Sequence, residues 1–83
     1  MQTKDETHSL KFNKLLKGKK IESCRYMTKE EADFFGWYSR PLIIGFTDKS
    51  YIILQQDAEG NDGGAALYEE IQNKDNYQII YTL

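Results

Sequence analysis

Eighty-three residues, with eleven Lys and Arg against thirteen Asp and Glu, leave room for one core, because a chain this short buries only about 60% of the surface its unfolded form exposes. Hydrophobic content of 40% with 29% charged residues excludes a disordered or membrane composition, and no apolar run approaches the ~20 residues of a bilayer-spanning helix. A single cysteine, Cys24, and a single histidine, His8, exclude an intramolecular disulfide and a structural zinc, and the net charge of −2 gives nonspecific nucleic-acid binding little electrostatic drive.

Residues 1–8 are polar and aperiodic, lack the apolar segment of a secretory signal and read as a flexible tail, leaving 9–83 as a single small domain in a cytoplasmic protein. His8 in such a tail is poorly held for catalysis. Ser9 is then placed to cap a short helix with Phe12, Leu15 and Leu16 on one side and Gly18 as its stop. Lys11, Lys14, Lys17, Lys19 and Lys20 read as a solvated lysine face. Lys19 to Met27 alternates imperfectly and predicts a strand, in which Cys24 is expected to be a small buried hydrophobe.

Thr28-Lys29-Glu30-Glu31 fits a capping box and opens a second helix, which Gly36 ends by accepting a positive φ. Pro41 keeps Arg40 out of the helical region, so Trp37-Tyr38-Ser39-Arg40-Pro41 reads as an extended connection. Leu42–Thr47 and Tyr51–Gln56 predict a hairpin turning at Asp48-Lys49-Ser50. With Thr47 opposite Ser50, Phe46 would face Tyr51 and Ile44 would face Ile53, giving two apolar faces that both need cover. Ala65–Ile71 reads as a short strand or helical turn, and Tyr77–Leu83 as a closing strand. The expected fold is α+β, a small antiparallel sheet or open barrel of about four strands with two short helices.

Charge is uneven along the chain. Residues 1–50 hold ten basic against seven acidic residues, whereas 51–83 hold Lys74 against six acids. Much of that acidity lies in the glycine-rich stretch Asp57-Ala58-Glu59-Gly60-Asn61-Asp62-Gly63-Gly64. It begins like a calcium loop, with Asp57, Glu59 and Asn61 at alternate positions. It then places Asp62 where glycine makes the sharp turn and Tyr68 where a bidentate glutamate closes the cage. No metal or cofactor is therefore assigned. A carboxylate pair, Asp57 with Glu59 or Asp62, would need a cleft that raises one pKa. A tight glycine turn solvated by its acids accounts for the same residues, as does a binding loop in which amides around Gly63 and Gly64 cradle an anion or Asp57 and Asn61 hold hydroxyls or a partner's arginine.

The segments "YMTKEEADFFGWYSRPLIIGFTD" and "DAEGNDGGAAL" resemble a family of small uncharacterised bacterial and phage proteins. Its pattern runs Tyr-Met-Thr/Ser-x-Glu-Glu-Ala-x-x-x-Gly-Trp, then Arg-Pro-Leu, then Asp-Glu-Gly-Asn-x-Gly-Gly-Ala-Leu. The resemblance spans Gly18 to Leu67 and rests on Tyr26, Met27, Glu30, Glu31, Ala32, Gly36, Trp37, Arg40, Pro41, Leu42, Glu59, Gly60, Asn61, Gly63 and Gly64. It departs at Lys49, where glycine is expected, and beyond Tyr68. It implies no particular chemistry, only that the Trp37–Pro41 connection and the acidic glycine loop belong together.

The function expected from these residues is that of a small non-enzymatic binding protein. Trp37, Tyr38, Arg40 and Arg25 would act with Asp57, Glu59, Asn61, Asp62, Gly63 and Gly64, because aromatic and arginine side chains dominate binding energies. One partner chemistry is a host protein, as for a phage-encoded inhibitor of bacterial defence. The other is a nucleotide-like signalling molecule, stacked on Trp37 or Tyr38 with phosphate on Arg40, Arg25 or the glycine amides. Such a site would sit between subunits, which leaves a homo-oligomer open. The alternatives are a metal-dependent hydrolase using Asp57, Glu59 and Asp62, and a structural subunit of an assembly. Core packing of Trp37 stands against its use in binding.

Overall fold

The structure is a computed structural model, and it describes residues 3–70, 72 and 77–83. Two helices, α1 (Lys4–Leu16) and α2 (Lys29–Phe35), accompany five strands, β1 (Ile21–Tyr26), β2 (Leu42–Phe46), β3 (Tyr51–Ile53), β4 (Ala66–Glu69) and β5 (Tyr77–Ile80). The strands form two antiparallel sheets, β1-β2-β3 and β4-β5. The fold is thus α+β with two open sheets in place of a single sheet of four strands, and the described residues close no barrel. Among them, no helix is long and apolar enough to cross a membrane.

Thr3, not Ser9, caps α1: its hydroxyl accepts from the Glu6 amide at 3.1 Å, and Asp5 and Glu6 sit at the positive helix end. Residues 4–8, expected as tail, are therefore helical, and His8 and Ser9 lie within the helix. No residue of α1 is buried.

The second helix follows the expected chemistry. Thr28 accepts from the Glu31 amide at 3.1 Å, and Glu31 accepts in return from the Thr28 amide at 2.9 Å. Gly36 then leaves the helix with φ 74°, its amide donating back to Ala32 and Asp33 carbonyls. That exit turns Trp37 under the helix, where it joins Met27, Ala32 and Ile43 in the core, with Ile53 packed against them. The core lies on one face of the three-stranded sheet, beneath α2.

The hairpin register differs from expectation by one residue. Ile43 pairs with Ile53, Ile44 with Ile52 and Gly45 with Tyr51. The turn is Thr47-Asp48-Lys49, with Phe46 and Ser50 closing it and Lys49 at φ 74°. A three-residue loop ending in a left-handed residue accounts for the shift. Asp48 assists by accepting from the Ser50 amide at 2.9 Å and from Lys19 Nζ at 2.6 Å, which holds its carboxyl below the usual range. A one-residue slip transfers side chains between faces, so Ile43 and Ile53 share the core side.

The β1 strand pairs only with β2 in its sheet and is an edge. Cys24 pairs with Ile44, on the face opposite Ile43 and the core, and is exposed, not the buried hydrophobe expected from its neighbours. The second sheet is tied to the first near Arg40, whose amide and carbonyl exchange bonds with Leu83 at 2.9 Å each. Tyr26 adds a hydroxyl bond to the Tyr81 carbonyl at 2.8 Å, and its ring stacks on that of Tyr81.

Candidate functional site

The Trp37–Pro41 connection and the acidic glycine loop are neighbours. Beyond β3, Gln55 bridges to Gly63, with Gln56 N–H donating to the Asp62 carbonyl and Gly64 N–H to the Leu54 carbonyl. These bonds close residues 57–61 into a turn. Within it, Asp57 accepts from the Glu59 amide and from both the amide and side chain of Asn61, at 2.9 to 3.3 Å. Gly60 takes the left-handed conformation with φ 71°.

Two bonds then fasten the turn to the connection. Trp37 Nε1–H donates to the Gly60 carbonyl at 2.7 Å, and the Ser39 amide donates to Asp62 Oδ1 at 2.9 Å. Asp62 also accepts from the Gly63 amide at 2.8 Å. The Asn61 side chain for Asp57, and the Ser39 amide for Asp62, hold both carboxyls below their ordinary pKa. Low pKa values suit carboxylates that fasten a loop, and not a pair of which one must carry a proton at neutral pH.

Glycine at 63 and 64 answers a need for space. A Cβ at Gly63 would lie 2.7 Å from Pro41 Cδ, and one at Gly64 would lie 2.4 Å from the Gln55 carbonyl oxygen. Their amides are occupied by Asp62 and Leu54, so of the alternatives for this loop the anion cradle would have no free donors from these two residues. Among the described residues no three His, Cys, Asp or Glu side chains gather as a metal cage requires.

The expected binding residues are therefore divided. Trp37 is only 7% exposed, and one face of its indole stacks on Phe35 at 4.9 Å, so it packs the core. Arg40 is half-buried. Tyr38, at 96% exposure, stands free beside the loop, whose exposed rim carries Glu59 and Asn61. Arg25 lies elsewhere, on β1, in a two-pronged ion pair with Glu31 at 2.8 and 2.9 Å. That pair, with the Thr28 amide, lowers the Glu31 carboxyl to about 2 and raises the Arg25 guanidinium.

Arg25 instead borders a concavity that sequence reasoning missed, a groove of about 470 Å³ over the core face of the three-stranded sheet. Its floor is Met27, Ile43, Gly45 and Ile53, and its aromatic walls are Phe34 and Phe35 from α2 and Phe46 and Tyr51 from the hairpin. The β2–β3 register places Gly45 opposite Tyr51, and the absence of a side chain there leaves the trough open. Phe34 is 86% exposed, Tyr51 64% and Phe35 49%. Two ion pairs, Arg25–Glu31 and Glu22–Lys49, form its polar rim. The one sequence signal was Phe34-Phe35 on a seven-residue helix: Phe35 stacks on Trp37, and Phe34, with its ring edge toward Phe35, has no place in so small a core.

Comparison with protein-family models, curated proteins and solved structures finds no match to this chain.

Proposed function

We propose that this chain is a non-enzymatic binding protein whose groove between α2 and the β2–β3 hairpin receives apolar side chains from a protein partner. The observation that carries the reading is the exposure of Phe34 and Tyr51 on opposite walls of a concave, apolar-floored trough. Ligand sites are typically concave, mostly apolar and rimmed by a few placed polar groups. Exposed aromatics in a pocket are also what anchors a protein interface. The neutral charge balance of the rim favours an uncharged segment over a phosphate. A side chain of the partner that stacks on Phe34 and reaches Ile53 would displace water from apolar surface at about 25 cal/mol per Å².

Selection of a random peptide-display library on the immobilised chain tests this. Enrichment of peptides with aromatic or aliphatic anchors is expected, with binding weakened at least about tenfold by Phe34→Ala and unaltered by Glu59→Ala. Peptides that ignore Phe34 and depend on Tyr38 and Asn61 would move the site to the glycine loop. Failure to enrich any anchor motif would defeat the reading.

A further inference from the structure

Among the described residues, two elements lack cover. The thirteen residues of α1 bury none of their number, although an isolated helix of that length is marginal in water. Its Phe12, Leu15 and Leu16 form an apolar stripe and are 48%, 56% and 39% exposed. On the β4–β5 hairpin, Leu67 pairs with Ile79 and Glu69 with Tyr77, so these four share a face. Leu67, Ile79 and Tyr77 are 60%, 54% and 59% exposed, and a two-stranded hairpin without cover is also marginal.

The surfaces match in charge and extent. From Lys4 to Lys17 the helix carries Lys4, Lys11, Lys14 and Lys17 against Asp5 and Glu6, while Glu69 and Glu70 border the hairpin face. The chain exposes 6978 Å², where a folded monomer of its mass would expose about 5,100 Å². Its radius of gyration is 14.9 Å, against about 12 Å for a compact chain of this length. The surplus area, about 1,900 Å², exceeds the ~800 Å² that each partner contributes to a standard interface.

We infer that the chain forms a two-fold dimer in which α1 of each copy lays its Phe12–Leu15–Leu16 stripe on the Leu67–Ile79 face of the other copy's hairpin. A second copy supplies both missing covers at once and closes the assembly, since the same patch pair occurs twice. A foreign partner on either element would leave the other bare. The groove beneath α2 is no part of this contact and stays open in the dimer.

Sedimentation equilibrium of the full chain across the micromolar range is expected to give twice the 9.7 kDa chain mass. Phe12→Glu and Ile79→Lys should each raise the dissociation constant at least about tenfold, and their exposed positions leave the fold unchanged, as far-UV dichroism would verify. An equimolar mixture of the two variants should recover dimer, because one of its two helix-on-hairpin contacts is intact. A wild-type chain that stays monomeric overturns the inference. So does a variant that dimerises as the wild type does. A mixture that stays monomeric overturns it as well, since it would mean helix meets helix or hairpin meets hairpin.

Discussion

The Trp37 indole N–H donates to the Gly60 carbonyl at 2.7 Å, joining the segment that follows α2 to the turn that follows β3. Trp37→Phe removes the donor and leaves a partly buried carbonyl unpaired, at a cost of about 1–3 kcal/mol. The urea midpoint should fall with little change in slope. Tyr38→Ala, at a site 96% exposed, should shift stability by no more than about 0.5 kcal/mol. Equal losses at the two positions would refute the assignment of Trp37 to the core.

Gly64→Ala and Gly36→Ala separate two uses of glycine. At Gly64 an added Cβ meets the Gln55 backbone at 2.4 Å, which only a shift of the strand can relieve, so a loss of about 2–3 kcal/mol is expected. Gly36 has open space around its missing Cβ and needs only its φ of 74°, so Ala there should cost about 1 kcal/mol. Thermal melts that rank Gly36→Ala as the more damaging would contradict the close approach at Gly64.

Lys49→Gly should stabilise the domain. Lys49 holds φ 74°, which costs a side-chain-bearing residue roughly 1 kcal/mol, and its ion pair with Glu22 at 3.0 Å is largely exposed and contributes at most a few tenths of a kcal/mol. A rise in melting temperature of about 2–6 °C is anticipated for a chain of this size. An unchanged or lower melting temperature would show that the Glu22 contact outweighs the backbone strain.

Acid sensitivity should be visible at Glu31. Its carboxyl is depressed from 4.5 to about 2, so the folded state binds its proton less readily than the unfolded state. The stabilisation is present in full above pH 4.5 and is lost as pH falls toward 2. Asp48, Asp57 and Asp62 are shifted the same way and add to the slope. Melting temperature should be level near neutrality and decline below about pH 4.5. Glu31→Gln should melt lower at pH 7 and lose part of that decline. An identical acid limb in the variant would mean that the Arg25–Glu31 pair contributes nothing.

Legibility of the fold followed the range of the interactions. The α2 helix was readable from Thr28 to Gly36 because its start and stop are set by side chains within four positions of the backbone groups they satisfy. The juxtaposition of Trp37–Pro41 with the glycine loop was an expectation drawn from resemblance, and the Trp37–Gly60 and Ser39–Asp62 bonds bring the two together. What remained hidden depended on alternatives of nearly equal local merit. Ser9 and Thr3 are both competent caps, and the earlier one wins with Asp5 and Glu6 behind it. The hairpin could turn at Asp48-Lys49-Ser50 or one residue earlier, and the choice rests on a left-handed lysine that composition alone disfavours. That single step in register decides which side Tyr51 occupies, and with it the groove. Cys24 lies on the face opposite Ile43, and alternation along a strand does not reveal which of its two faces is covered.

The β4–β5 hairpin forms its own sheet and is clasped to the first one by the exchange of backbone bonds between Arg40 and Leu83. Among the described residues, that clasp and the Tyr26–Tyr81 contacts secure it to the core sheet, so it should open while Ile43 and Trp37 stay packed. Amide hydrogen exchange would register this as sub-global opening, with Leu67 and Ile79 exchanging through a cheaper route than Ile44.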